Sequence, residues 1–176
     1  EVTAEYFKDN SIVQNMFDTM YKAHGVGLAA PQVGLDIRLF IVDVSPFADD
    51  EDLPKQAQEE LKNFKKVFIN PTIIKEEGDE WAFNEGCLSI PDVREDVYRK
   101  RIITVEYFDE KFQKHTETYN GLIARVIQHE YDHIEGVLFT DRLSSLKKRL
   151  LSKRLNNIMM GKINPDYKMK FPNIKK

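Results

Sequence analysis

Apolar residues along the chain follow two periods, dividing it into a helical start, a strand-rich middle and a helical end. Ile12, Val13, Met16, Phe17, Met20 and Tyr21 recur at helical spacing, which predicts an amphipathic helix over 11–24 with Gly25 as its stop. The next stretch, Gly25-Val26-Gly27-Leu28-Ala29-Ala30-Pro31-Gln32, is small, apolar and glycine-bearing. It reads as a loop or short strand where backbone must approach something closely. Residues 37–44 make a compact β-rich run. Further strand patterns fall at 67–70, 72–77, 80–84, 93–98, 102–108 and 116–119, with Gly78 and Asp109-Glu110 as turn markers. Asn120 then stands where a helix cap belongs. The helix it would open carries Leu122, Ile123, Val126 and Ile127 on one face, and Gly136 lies just past its end. A last helix is expected over 143–161. Strands grouped together and helices grouped together predict an α+β fold, with antiparallel or mixed sheets packed around a central helix and a C-terminal helix beyond.

The chain has 176 residues, enough for a single domain, 1–176, with its own core. The acidic cluster Asp49-Asp50-Glu51-Asp52 and the polar run after it read as a surface insertion over 45–64. Hydrophobic residues make up 41%, charged residues 31%, and the net charge is -3, which gives no reason to expect a DNA partner. No apolar run is long enough to span a bilayer, so no membrane association is expected. The start, Glu1-Val2-Thr3-Ala4-Glu5, shows no signal peptide and has no methionine, as in a processed or incomplete form. Cys87 is the single cysteine; an intramolecular disulfide is excluded, which fits a reducing, cytoplasmic compartment. A lone cysteine can be a buried small hydrophobe, a nucleophile or a metal ligand.

The densest chemistry lies in His129-Glu130-Tyr131-Asp132-His133. Histidines four apart on a helix share a face one turn apart, so both imidazoles can reach one metal ion. The glutamate after the first histidine is placed to handle the protons of a metal-held water. Cys87 sits in Glu85-Gly86-Cys87-Leu88-Ser89, read as a tight polar turn before Pro91. A thiolate and two imidazoles give three ligands and leave a position open for water, the layout of a catalytic site. Glu85 and Asp132 are candidates to support the ligands, with Arg99 as a partner for Asp132. His24 and His115 lack such context and are assigned to surface or structure.

Three segments, residues 25–32, 85–89 and 128–133, stand in the order and approximate separation seen in peptide deformylases, and the chain resembles that family over nearly its whole length. The resemblance implies removal of the formyl group from N-formylmethionyl nascent peptides, with release of formate. It implies one divalent metal held by Cys87, His129 and His133, ferrous iron in the cell, with zinc, nickel or cobalt able to replace it. Glu130 would carry the proton, and the Gln32 amide and the Leu88 backbone N–H would meet the oxyanion. Backbone groups of Val26 and Gly27, and Arg94, would meet the peptide, with Val126 and Ile127 as walls of a methionine pocket. Tyr131 and Tyr98 are further wall candidates, as is the stem of Arg125 if its head turns to solvent. In one respect the chain departs from the family: it enters almost at the first helix, so an edge strand is expected to be missing. Two alternatives stand beside this reading: a zinc peptidase using His129, His133 and Glu130, and a structural metal clip in a binding module.

The last helix carries Lys147, Lys148, Arg149, Lys153 and Arg154, with Leu146, Leu150, Leu151 and Leu155 as one apolar stripe. It is either a docked helix with a solvated basic face or a contact for ribosomal RNA near the nascent-chain exit.

Overall fold

The strand-rich middle folds as two long antiparallel strands rather than a series of short ones. In the computed structural model, which describes residues 1–8 and 11–171, the main elements are α1 (Ser11–Lys22), β1 (Gly27–Ala29), β2 (Leu39–Asp43), α2 (Lys55–Lys62), β3 (Lys65–Cys87), β4 (Ile90–Phe108), β5 (Lys114–Asn120), α3 (Gly121–Ile134) and α4 (Ser145–Met159). Five of these form one antiparallel sheet in the order β1-β2-β3-β4-β5, so each strand pairs with its chain neighbour. The α+β class is as expected.

The run of short strands with Gly78 as a turn needs correction. Gly78 takes φ +76, but Glu77 pairs with Ile102 and Glu80 with Lys100, so the ladder continues in the same direction. The glycine serves a bulge, where an extra residue bends the strand instead of reversing it. Further register shifts fall between Ile69 and Thr72, Ile73 and Lys75, and Gly86 and Cys87. The true reversal comes at Leu88-Ser89, between β3 and β4. Two helix-end assignments also change. His24, with φ +57, is the left-handed residue after α1, and Gly25 is glycine for another reason: a Cβ there would stand 2.7 Å from Leu88 Cδ1. Asn120 occupies the cap position of α3 without a side-chain cap bond, because it is still in the ladder opposite Ile102.

The core lies on both faces of the sheet. On one face α3 lays Ile123, Ala124, Val126 and Ile127 against Phe40, Val42, Phe68, Ile103 and Val105. On the other, α1 buries Val13, Met16, Phe17 and Met20 against Leu39, Ile41, Val67 and Ile69. Alternation along β2 and β3 produces this split, since successive side chains point to opposite faces. Leu61 of α2 is buried in the first cluster, with Phe47, Leu53 and Phe64 packed beside it. At the start of the chain, Val2 is buried and its backbone N–H and carbonyl both bond the Asn70 side chain, each at 2.8 Å. Among the described residues no helix is long and apolar enough to cross a membrane.

The apolar stripe on α4 divides. Leu151 and Leu155 pack on a third cluster with Ile158, Phe139 and Ile90, whereas Leu146 and Leu150 are exposed. The helix meets β4 through Lys147, 2.6 Å from Glu95, which turns part of its basic face inward.

A polar cluster crosses the sheet where Lys66 Nζ meets Tyr107 Oη at 3.0 Å, with Glu117 accepting from Lys66, Tyr107 and Tyr119. Partial burial would raise the Glu117 pKa, but Lys66 and the two phenols hold it down to about 2 from its ordinary 4.5. A depressed carboxylate stabilises the fold above its unfolded pKa and loses that contribution as pH falls. The stability advantage of the natural chain over Glu117→Gln is therefore expected to be full above about pH 4.5 and to vanish toward pH 2, measured by urea unfolding across that range.

Candidate active site

β3, the turn after it and α3 bring the chemistry together. Sγ of Cys87 and one ring nitrogen from each of His129 and His133 lie within 4.8 Å of one another, with Cys87 Sγ 3.3 Å from His133 Nε2. His129 Nδ1 faces Glu85 Oε2 at 2.9 Å. A carboxylate can only accept, so Nδ1 carries a proton there and Nε2 is the nitrogen left to face a ligand.

Electrostatics prepare this group for a cation. Burial alone would raise the Cys87 thiol, but His129 and His133 beside it bring its pKa down to about 5, so a thiolate stands there at neutral pH. Burial opposes charge on His129, yet Cys87 and Glu85 push its pKa up to about 10; His133 is shifted the same way. The cluster thus stabilises positive charge between a thiolate and two imidazoles. A soft thiolate with two imidazoles suits a borderline divalent ion, so the donor set fits a metal.

Around the ligands runs a buried ion network. Arg99 grips Glu85 with two bonds, of 2.7 and 2.9 Å, and reaches Asp132 at 2.7 Å. The pairing expected for Asp132 is present, and Arg142 extends it with a 2.6 Å bond to the same carboxylate. Arg125 donates to Glu85 at 2.9 Å and to the carbonyls of Val97 and Trp81. Its guanidinium lies over the Trp81 ring at 4.6 Å, and the residue is only 1% exposed. The head does not turn to solvent, because Glu85 and two carbonyls hold it inside, and Arg125 borders the cavity from within. Burial would raise the Glu85 pKa, but Arg99 and His129 keep it well below the usual carboxylate range.

Beside the ligands opens a cavity of about 640 Å³. Glu130 lines it, and its Oε2 has no hydrogen-bond partner among the described residues. Burial raises the Glu130 pKa to about 7 even though the two imidazoles pull the other way, which suits a group that takes and returns a proton near neutral pH. Gly27 is glycine of necessity here, because a Cβ would come within 2.4 Å of Glu130 Oε1. Gln32 is oriented by its own loop. Its Oε1 accepts from the Ala29 N–H at 2.8 Å, which turns Nε2 toward Ser89 Oγ at 3.1 Å and Cys87 Sγ at 3.7 Å. Leu88, Val26, Arg94 and Val126 also line the cavity, with Arg94 bonded to Asn84.

Three expectations do not hold. Ile127 is fully buried in the sheet-facing core and does not line the cavity, because one step along a helix turns the side chain by about 100°. Tyr131 borders a different cleft behind α3, and Tyr98 is 65% exposed on the outer side of β4. His24 is exposed, as assigned, and stands at the edge of the cavity. His115 does have a structural role, meeting Asp109 at 2.8 Å. Sequence reasoning alone misses Phe83 and Tyr167, which also border the cavity. The signal for Phe83 is its place two residues before Glu85, on the same face of the strand.

The family model for polypeptide deformylase matches residues 1–149. A peptide deformylase from Christiangramia forsetii is 64% identical over 176 residues, covering 100% of this chain and 90% of its own. One from Flavobacterium johnsoniae is 63% identical over 175 residues, covering 99% and 89%. Among solved structures, a Plasmodium falciparum peptide deformylase complexed with an inhibitor superimposes with a TM-score of 0.73 at 32% identity, over 90% of this chain and 89% of that one.

Glu85→Gln removes the charge on which Arg99, Arg125 and His129 converge. Breaking such a buried pair is expected to cost about 3–5 kcal/mol in unfolding free energy. Loss of the carboxylate behind a ligating histidine is expected to weaken metal affinity by about 10–100-fold, measured by chelator competition.

Proposed function

Because the chain belongs to the polypeptide deformylase family, we propose that Cys87, His129 and His133 hold the metal of its reaction, that Glu130 moves the proton, and that Gln32 and Leu88 stabilise the oxyanion. As a family member it is a hydrolase that works with a divalent metal and removes the N-formyl group from newly made polypeptides. The observation that carries the residue assignment is a partnerless carboxylate oxygen on Glu130, beside three ligand atoms within 4.8 Å of one another. The zinc-peptidase and structural-clip alternatives fall with the family match.

A divalent ion at this site supplies Lewis acidity and makes a neighbouring water easier to deprotonate. The protein does the rest. Glu130, with its pKa near neutrality, takes a proton from the attacking water. The water oxygen bonds to the formyl carbon, and negative charge moves onto the formyl oxygen. The Gln32 amide and the Leu88 N–H meet that charge; one such donor contributes about 3–4 kcal/mol. Glu130 returns the proton to the nitrogen as the carbon–nitrogen bond breaks, leaving formate and a free amino terminus. Backbone groups of Val26 and Gly27 hold the peptide as an added strand beside β1, Arg94 meets its backbone, and Val126 forms part of the methionine wall.

The metal in the cell is assigned as ferrous iron, with zinc, nickel or cobalt as substitutes; the thiolate makes the iron form sensitive to oxygen. The chain works in the cytoplasm, as a lone free cysteine suggests. The basic face of α4 is assigned to ribosomal RNA. Lys147 is engaged by Glu95 and Arg154 lies 3.8 Å from Asp92, so Lys148, Arg149 and Lys153 are the groups presented outward.

Glu130→Gln in the iron-loaded enzyme is expected to keep its metal while formate release from formyl-Met-Ala-Ser, measured anaerobically, falls by about 10²–10⁴-fold. Full activity in that variant removes Glu130 from the mechanism. Replacing Lys148, Arg149 and Lys153 by glutamine is expected to weaken ribosome binding and flatten its dependence on salt. Unchanged, salt-insensitive binding in the variant excludes this surface.

A further inference from the structure

After α4 the chain does not leave the domain. From Ile163 to Phe171 half-buried Ile163, Pro165, Tyr167, Met169 and Phe171 alternate with exposed Asn164, Asp166, Lys168 and Lys170. A period of two with one apolar side is how a segment without helix lies on a surface, and here it bends at Asp166 and Tyr167. Ile163 packs on the cluster that contains Cys87 and Phe139. Residues 164–167 then form a wall of the catalytic cavity. This segment lies outside the residues matched by the family model, which end at 149.

One contact joins this tail to the chemistry. Tyr167 Oη donates to the carbonyl oxygen of Leu88 at 2.7 Å. Leu88 is the turn residue whose N–H is assigned to the oxyanion, so any catalytic role for Tyr167 rests on that assignment. The turn is pinned from two other sides. The Leu88 side chain packs so near Gly25 that a Cβ at 25 would meet it at 2.7 Å. Ser89 Oγ accepts from Gln32 Nε2 at 3.1 Å. The first restraint fixes a side chain and the second the residue after Leu88. Only the Tyr167 bond, of these three, grips the Leu88 backbone. The Leu88 carbonyl lies in the peptide plane after the residue and its N–H in the plane before; the two meet at the Leu88 Cα, so holding the carbonyl restrains the N–H through that shared atom. Burial, with Cys87, Asp166 and Asp92 nearby, holds the Tyr167 phenol up at about 12, so it remains a donor through the neutral range.

We infer that Tyr167 is a positioning residue for the deformylation: it latches the C-terminal tail onto the Cys87-Leu88-Ser89 turn and so aims the Leu88 N–H at the oxyanion. The latch acts on the transition state more than on the bound peptide. An N–H that wanders costs little binding, because the ground-state carbonyl bears little charge, but it loses the stabilisation that appears as charge develops. The tail therefore belongs to the working site although it comes after the last helix.

Tyr167→Phe tests this, since it keeps the ring in the cavity wall and removes only the donor. In the full chain, kcat for formyl-Met-Ala-Ser is expected to fall by about five- to tenfold with KM within about twofold. In the zinc-loaded protein, backbone NMR order parameters at Leu88 and Ser89 are expected to drop from about 0.85 toward 0.6, with α3 unchanged. Unchanged kcat overturns the inference, as does a rise in KM alone, which would leave Tyr167 as a wall only. Loosening spread through α3 also overturns it, because the role would then be general stability. Natural protein that releases no formate when metal-loaded would count against the functional reading instead. The order parameters would still decide whether the latch exists.

Discussion

Glu85 is one carboxylate on which three side chains from two elements converge. Arg99 from β4 and Arg125 and His129 from α3 all donate to it, and it sits on β3 two residues before Cys87. A buried charge is tolerable only when its oxygens are fully paired, so any shift that breaks one of these bonds exposes a cost of several kcal/mol. That requirement sets the register of β3 against β4 and the rotation of α3 on the sheet. The ligand geometry is a result: the same anchor fixes the tautomer of His129 and brings the thiol of Cys87 to meet it. Asp132 repeats the device one turn along α3, clamped by Arg99 and by Arg142 from the segment that carries Phe139. Phe139 in turn stacks on the His129 ring at 6.1 Å.

The chain keeps a costly group beside this well-satisfied network. Glu130 is buried with an oxygen unpartnered among the described residues, and a glycine at 27 leaves room for it. Such a carboxyl is destabilising where it stands, and the apolar layer between α3 and the sheet offsets the cost. Phe68 at the centre of that layer contacts Phe40, Tyr107 and Tyr119 as ring pairs 4.5–6.0 Å apart. Two opposite solutions thus stand on neighbouring residues of one helix. His129 is anchored by Glu85 so that its ring is oriented, while Glu130 keeps an oxygen without a partner among the described residues, on the cavity side.

Much of this was legible in the sequence because it depends on local period. The apolar spacing of 11–24 and 122–127 gives amphipathic helices in almost any context, and histidines four apart on a helix must share a face. The loops carrying Gln32 and Cys87 were identified by their residues in order, and the structure brings both beside the histidines. What was not legible depends on partners distant in the chain. Gly78 reads equally as a turn or a bulge, and only its pairing across to β4 decides. Arg125 reads as a wall candidate, but that Glu85 and the Trp81 carbonyl hold its head inside shows only in the folded chain. Val126 and Ile127 are equivalent in composition, yet a rotation of about 100° sends one toward the cavity and the other into the core. Tyr167 lies in a short alternating run after the last helix, too brief to register beside longer elements.

His129 and His133 are separated by a single helical turn, whereas Cys87 comes from a hairpin more than forty residues earlier. This spacing makes the full ligand set a property of the assembled fold. α3 by itself supplies only the two nitrogens of the group. The thiolate joins only when β3 has reached its register, and metal affinity then rises together with the closing of the core. The ion is thus held weakly by an unfinished chain and tightly by a finished one. In thermodynamic terms the metal is a ligand of the completed fold, and its binding energy adds to the stability of that fold.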